Sequence, residues 1–170
     1  MPPRPDEHDG KDYFFIPKER FFEMRDDSQL HAERGAGITG VAGRRGFSII
    51  AVEKTLMNSE IGFGRRLLTV LESNGVSFEH MPSGIDTLCA VVSSPLLEGK
   101  TEKVVHEIKL ECRPDSIEVE HGIALIATVG RGMMHTPGMA AKVMNALSSA
   151  GVNIRMIDQG SGELNIIVGV

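Results

Sequence analysis

Hydrophobic and polar positions along the chain spell out one pattern twice. From Phe47 to Val52 a β-rich apolar run predicts a strand, and a polar loop then leads to Gly62. Beyond that glycine, Leu67, Leu68 and Leu71 fall on one face at helical spacing. Asn74-Gly75 closes this helix with the residue that adopts a left-handed conformation at least cost. Two short strands follow, Val76 to Met81 and Thr87 to Val92, divided by the turn chemistry of Pro82-Ser83-Gly84. The same series returns without a gap from Ile123 to Val168, with Gly138 before the helix, Val143, Met144 and Leu147 on its apolar face, and Ala150-Gly151 at its end. Identical residues include Met57 and Met133, Gly62 and Gly138, Leu71 and Leu147, Gly75 and Gly151, and Leu88 and Leu164. A register held over that length predicts two copies of one strand-helix-strand-strand unit.

The flanking segments extend this reading. ITGVA, from Ile38 to Ala42 between Gly37 and Gly43, predicts a strand outside the repeat that needs a sheet to join. After Val92 and a loop at Ser93 to Pro95, residues Lys100 to Cys112 place Val104, Val105, Ile108 and Leu110 in a helical pattern, and SIEVE from Ser116 to Glu120 alternates as a half-buried strand. Copy one is then βαββαβ, with two helices on one face of a four-stranded antiparallel sheet, the ferredoxin-like α+β arrangement. Copy two reaches Val170 directly after its third strand, without a second helix or a fourth strand. The ITGVA strand can supply the missing strand, so copy one (residues 44–121) is expected to be inserted within copy two (37–43 with 122–170). One apolar face of the second sheet should be incompletely covered, unless the N-terminal segment or another subunit packs there.

Residues 1–36 differ in character. They carry prolines and both signs of charge, together with Phe14, Phe15, Phe21, Phe22 and the only tyrosine, Tyr13. Two readings stay open: a charged leader without fixed structure, or a tail whose aromatic pairs dock on the body or on a partner.

Composition narrows the function classes. A net charge of -5 argues against a nucleic-acid surface, and the strands lack the exposed aromatics that stack on bases. With no apolar run long enough to span a bilayer and no signal peptide at the start, a cytoplasmic protein without membrane contact is expected. Cys89 and Cys112 have neither metal-ligand nor redox spacing and read as buried free thiols. The histidines show no metal spacing; His135 reads as a turn residue, Asp86 as a turn acid, and His80 has no nucleophile beside it. No metal or cofactor is expected.

The residues do support binding chemistry. The loop from Met57 to Phe63 runs into a helix N-terminus, where amides without intrahelical partners and the positive end of the dipole favour a carboxylate. Gly62 lets a ligand approach the backbone. On the neighbouring strand Ser77 and Glu79 share one side by alternation, and a glutamate there can pair with an ammonium group. A carboxylate site beside an ammonium site suits a free amino acid. In copy two, Arg155 stands where copy one has Glu79 and cannot receive an ammonium group, so the second loop reads as structural or dimer-forming.

The stretches ITGVAGRRGFSIIAVEK, LMNSEIGFGRRLL, VSFEHMPSGID, CRPDSIEVEHGIALIATVGRGM and TPGMAAKVMNALSSAGVNIRMIDQGSGELNIIVGV resemble the C-terminal regulatory region of aspartate kinase, built from tandem ACT domains. The resemblance runs from about Ile38 to Val170 and implies that the first ACT domain is inserted into the second, with the last helix of the second missing. It also implies lysine or threonine feedback control of aspartate-family biosynthesis. Residues 1–36 hold no glycine-rich phosphate loop, GRRG at Gly43 to Gly46 lacks the lysine and hydroxyl of a P-loop, and GFG at Gly62 to Gly64 is too short for a dinucleotide fingerprint. The chain by itself is therefore not expected to phosphorylate aspartate. It is expected to act as a homodimer or in association with an aspartate kinase.

By position, the resemblance carries effector contacts onto Met57, Ser59, Gly62, Phe63, Gly64, Ser77, Phe78 and Glu79. Members of the family often have aspartate where this chain has the longer Glu79. The acidic partner favours lysine over threonine. The alternative reading is a structural dimerisation subunit, or a fragment of the kinase, that no longer binds effector.

Overall fold

The computed structural model describes residues 37–134, 136–162 and 164–170. They form β1 (Gly40–Glu53), α1 (Phe63–Ser73), β2 (Phe78–His80), β3 (Thr87–Ser93), the single-turn α2 (Ser94–Leu97), α3 (Thr101–Cys112), β4 (Ser116–Val129), α4 (Met139–Ser149), β5 (Met156–Asp158) and β6 (Asn165–Gly169). Short 3-10 turns lie at Met57–Ser59 and Arg131–Met133. The chain divides into two compact units: residues 45–124, and the described residues up to Arg44 together with 125–170. The expectations for residues 1–36 and for His135 fall outside the described residues.

In the unit of residues 45–124 the order is βαββαβ, with the single-turn α2 inserted after β3, and the strands neighbour one another as β2-β3-β1-β4. This is the ferredoxin-like arrangement read from the repeat. β1 runs antiparallel to β3, setting Ile50 opposite Ala90 and Val52 opposite Leu88. Those four side chains join Leu67, Val70 and Leu71 of α1 and Val104, Ile108 and Cys112 of α3 in one buried cluster. On α3 the buried positions recur every four residues, so the stripe runs through Cys112. Leu110, assigned to the apolar face by its hydropathy, lies off that stripe and is 61% exposed. Ser93 to Pro95 is not the loop expected: it leads into α2, with proline in the first turn where no amide hydrogen is required and Leu97 buried below.

The strands depart from the sequence reading in one consistent way. ITGVA and the Phe47 run are one continuous strand, β1, and SIEVE and the Ile123 run are likewise one, β4. Gly43 does not end the first strand. Gly46 at φ 92 and Gly122 at φ 80 take positive torsions inside the two long strands, a conformation open to glycine at little cost. Each long strand contributes one segment to each unit.

The second unit has the strand order β1-β4-β6-β5, with β4 and β6 antiparallel and Ala127 opposite Ile167. Its core gathers Met133, Met139, Val143, Ile166 and Val168. α1 buries Phe63, Leu67, Val70 and Leu71, whereas α4 buries Met139 and Val143. Met144 and Leu147 remain half-exposed. Among the described residues no second helix packs beside α4, whereas α3 packs beside α1.

The two copies agree down to backbone torsions. Gly62 and Gly138 open the helices at φ 79 and 85, and Gly75 and Gly151 follow their ends at φ 66 and 69.

Candidate functional site

The loop between β1 and α1 is strapped on two sides. The amide of Lys54 donates to the Asp86 carbonyl (2.8 Å), that of Asn58 to the Ile85 carbonyl (3.2 Å), and that of Leu56 to the Asp86 carboxylate (2.8 Å). On the other side the amide and hydroxyl of Thr55 both donate to Asp115 Oδ2, at 2.7 and 2.8 Å. These bonds hold the Asp115 carboxyl below its ordinary range, the Thr55 amide foremost. Leu56 sits at φ 59, a left-handed conformation that costs a non-glycine residue about 1–2 kcal/mol and persists where the surroundings impose it. Asp86 is thus a turn acid, as its position before a strand implied, and also an anchor for the loop across from it.

The residues assigned to the site divide by burial. Met57 and Phe63 are 7% and 3% exposed and belong to the core of their unit together with the half-buried Met81. Ser59 is exposed, Gly62 and Gly64 are half-buried, and a Cβ at Gly64 would lie 3.8 Å from the Leu88 side chain. Ser77, Phe78 and Glu79 are exposed, on or next to β2 at the sheet edge.

β2 is shorter than the strand expected from Val76 to Met81, and its ladder slips. Phe78 pairs with Val92, yet His80 pairs with Val91, so Glu79 is the extra residue of a bulge. A bulge re-aims its side chains, so simple alternation no longer assigns Ser77 and Glu79 to a common side.

One part of the site escaped the sequence reading. Glu60 forms ion pairs with Lys54 (2.6 Å) and with Arg66, which stands on the first turn of α1. Both cations also lie over the Phe63 ring, 5.6 and 5.7 Å from its centroid, and Lys54 Nζ donates to the Cys112 carbonyl at 3.0 Å. The Lys54 hydrogen bond is the leading reason that the Glu60 carboxyl is held below its ordinary value of 4.5. Lys54, Glu60 and Arg66 share no helical or strand period, so only the folded loop brings them together. In copy two the corresponding positions are Gly130, Thr136 and Lys142. A Cβ at Gly130 would meet the Gly37 carbonyl oxygen at 2.3 Å, so no side chain fits there.

The remaining polar groups form local structure. Ser48, fully buried, bonds Ser94 Oγ and His121 Nδ1, each at 2.8 Å. Cys112 is buried and Cys89 half-buried; both thiols are free, and burial pushes both above their ordinary value. Among the described residues no three His, Cys, Asp or Glu side chains converge as metal ligands, and no helix is long and apolar enough to cross a membrane.

Residues 126–170 match the ACT domain family. The chain is 44% identical over 134 residues to aspartokinase 3 of Bacillus subtilis, an alignment covering 78% of this chain and 30% of that protein. The chain carries the ACT fold of aspartate-kinase regulatory regions. Among solved structures, the aspartate kinase of Clostridium acetobutylicum, described as an allosteric enzyme, superposes with a TM-score of 0.76 at 55% identity, over 84% of this chain and 33% of that one. The regulatory subunit of aspartate kinase from Thermus flavus shares the fold at a TM-score of 0.67 and 21% identity, over 78% of this chain and 88% of that one. The chain therefore spans about a third of the length of the B. subtilis and C. acetobutylicum kinases, and most of the length of the T. flavus regulatory subunit.

Proposed function

We propose that the chain is an amino-acid-sensing module that shifts an aspartate kinase between active and inhibited states when a free amino acid binds the first ACT loop. The effector carboxylate meets the main-chain amides of Gly62 and Gly64, since those of Ser59, Glu60 and Phe63 already donate to carbonyls within the loop, and its ammonium group meets Glu79, with Ser77 and Phe78 beside it. The observation that carries this reading is the strapped loop: hydrogen bonds from both sides deliver Gly62, at φ 79, to the start of α1, which presents backbone donors in a preset geometry. Lysine is the effector favoured by an acidic partner, with threonine the alternative. The second loop, with Gly130 closed against Gly37 and Arg155 in place of Glu79, serves structure or pairing.

An effector acts on a kinase only through differential affinity for its two states, so the module works on catalytic machinery elsewhere in the assembly. Pairing of two chains is part of the proposal, because Phe78 on the edge strand β2 is 46% exposed and an apolar edge is normally covered.

Calorimetry on the chain with L-lysine and L-threonine tests the reading. Heat from lysine is expected, with affinity reduced about tenfold or more by Glu79→Ala, the loss of one charge-assisted contact. A folded sample that takes up neither amino acid overturns the sensing role, and lysine binding indifferent to Glu79→Ala overturns the site.

A further inference from the structure

We propose that Glu60 is an internal competitor at the effector site: its carboxylate and the α-carboxylate of a bound amino acid vie for the same cation pair, Lys54 and Arg66. The inference rests on reading residues 57–64 as the effector loop, and it makes Glu60 a determinant of affinity and of carboxylate specificity.

Three observations converge. Two cations face one carboxylate, so the cluster carries a net positive charge beside the positive end of α1. The cations have supports other than Glu60: Lys54 bonds the Cys112 carbonyl at 3.0 Å, and both lie over the Phe63 ring. Their side chains are 20% and 22% exposed against 34% for Glu60, so the carboxylate is on the more open side of the cluster. When Glu60 swings outward, Lys54 and Arg66 stay placed and partly shielded from water, and such a pair needs another anion. Arg66 supplies a planar fork matched to a carboxylate. Copy two, with Gly130, Thr136 and Lys142 at the equivalent positions, has no such cluster, which ties carboxylate capture to the first loop alone.

The test uses the full chain, wild type and two variants, with three probes: L-lysine, L-lysinamide, which lacks the carboxylate, and sodium sulfate. In Glu60→Gln, which removes charge but keeps size, lysine is expected to bind about tenfold more tightly while lysinamide is unchanged, and sulfate affinity rises. In Arg66→Gln the preference for lysine over lysinamide collapses. A lysine-to-lysinamide affinity ratio that is the same in Glu60→Gln, Arg66→Gln and the wild type overturns the proposal. Should no variant bind either amino acid, the sensing role fails on its own and sulfate decides the remainder: stronger sulfate binding in Glu60→Gln supports the competition for Lys54 and Arg66, and equal binding overturns it.

Discussion

Single residues carry the clearest physical consequences. Gly62→Ala forces a Cβ into φ 79 at the mouth of α1, so it is expected to destabilise the fold by about 1–2 kcal/mol, read as a lower urea midpoint. Gly160→Ala, with nothing within 4 Å of the added carbon, is the matched control and should stay near wild type. The carboxyls of Glu60 and Asp115 are both held below their ordinary values of 4.5 and 3.8. A carboxyl depressed in the fold contributes stability that is fully present above its unfolded value and is lost as pH falls through the folded one. Acid titration of the urea midpoint should therefore show a decline setting in below about pH 4.5, and Glu60→Gln should flatten its upper part. A midpoint that is level through that window in the wild type contradicts both the Glu60 ion pairs and the Thr55 hydrogen bonds to Asp115. Gly62 and Gly138 were legible in the chain because a left-handed helix entry selects a residue type. Lys54, Glu60 and Arg66 were not, because nothing local in their spacing distinguishes a cluster from a solvated charge run.

At the scale of elements, the two copies of one unit differ in how completely their helices are packed. Leu67 of α1 is fully buried between the sheet and α3, so Leu67→Ala is expected to cost about 2–5 kcal/mol. Leu147 is half-buried on α4, and Leu147→Ala should cost clearly less in the same urea titration. Equal losses contradict the asymmetry of the two cores. Helical periodicity foretold both helices, since an apolar face at 3.6-residue spacing is a local property. Strand ends were harder: hydropathy broke β1 at Gly43 and β4 near Gly122, whereas the strands run through both places. The bulge at Glu79 was likewise invisible, because register against Val91 and Val92 is set by the partner strand.

For the whole molecule, the exposed edge residue Phe78 leads to an expectation about assembly. Sedimentation velocity over a range of concentrations should show self-association to a dimer, and Phe78→Lys should shift the balance toward monomer, since a charge on an edge strand opposes pairing. A wild-type chain that sediments as a monomer at every concentration contradicts the pairing proposed here.

Repetition of a hydropathy pattern was enough to determine the βαββ unit, its duplication and the glycines that bracket each helix, because these follow from periods and torsions within a few residues. What the tertiary structure alone decided was which long strands are continuous, that Met57 and Phe63 belong to the core, and that Lys54, Glu60 and Arg66 meet over an aromatic ring. Those outcomes depend on contacts between segments distant in the chain, and pairing energy between such segments leaves no periodic mark in either one.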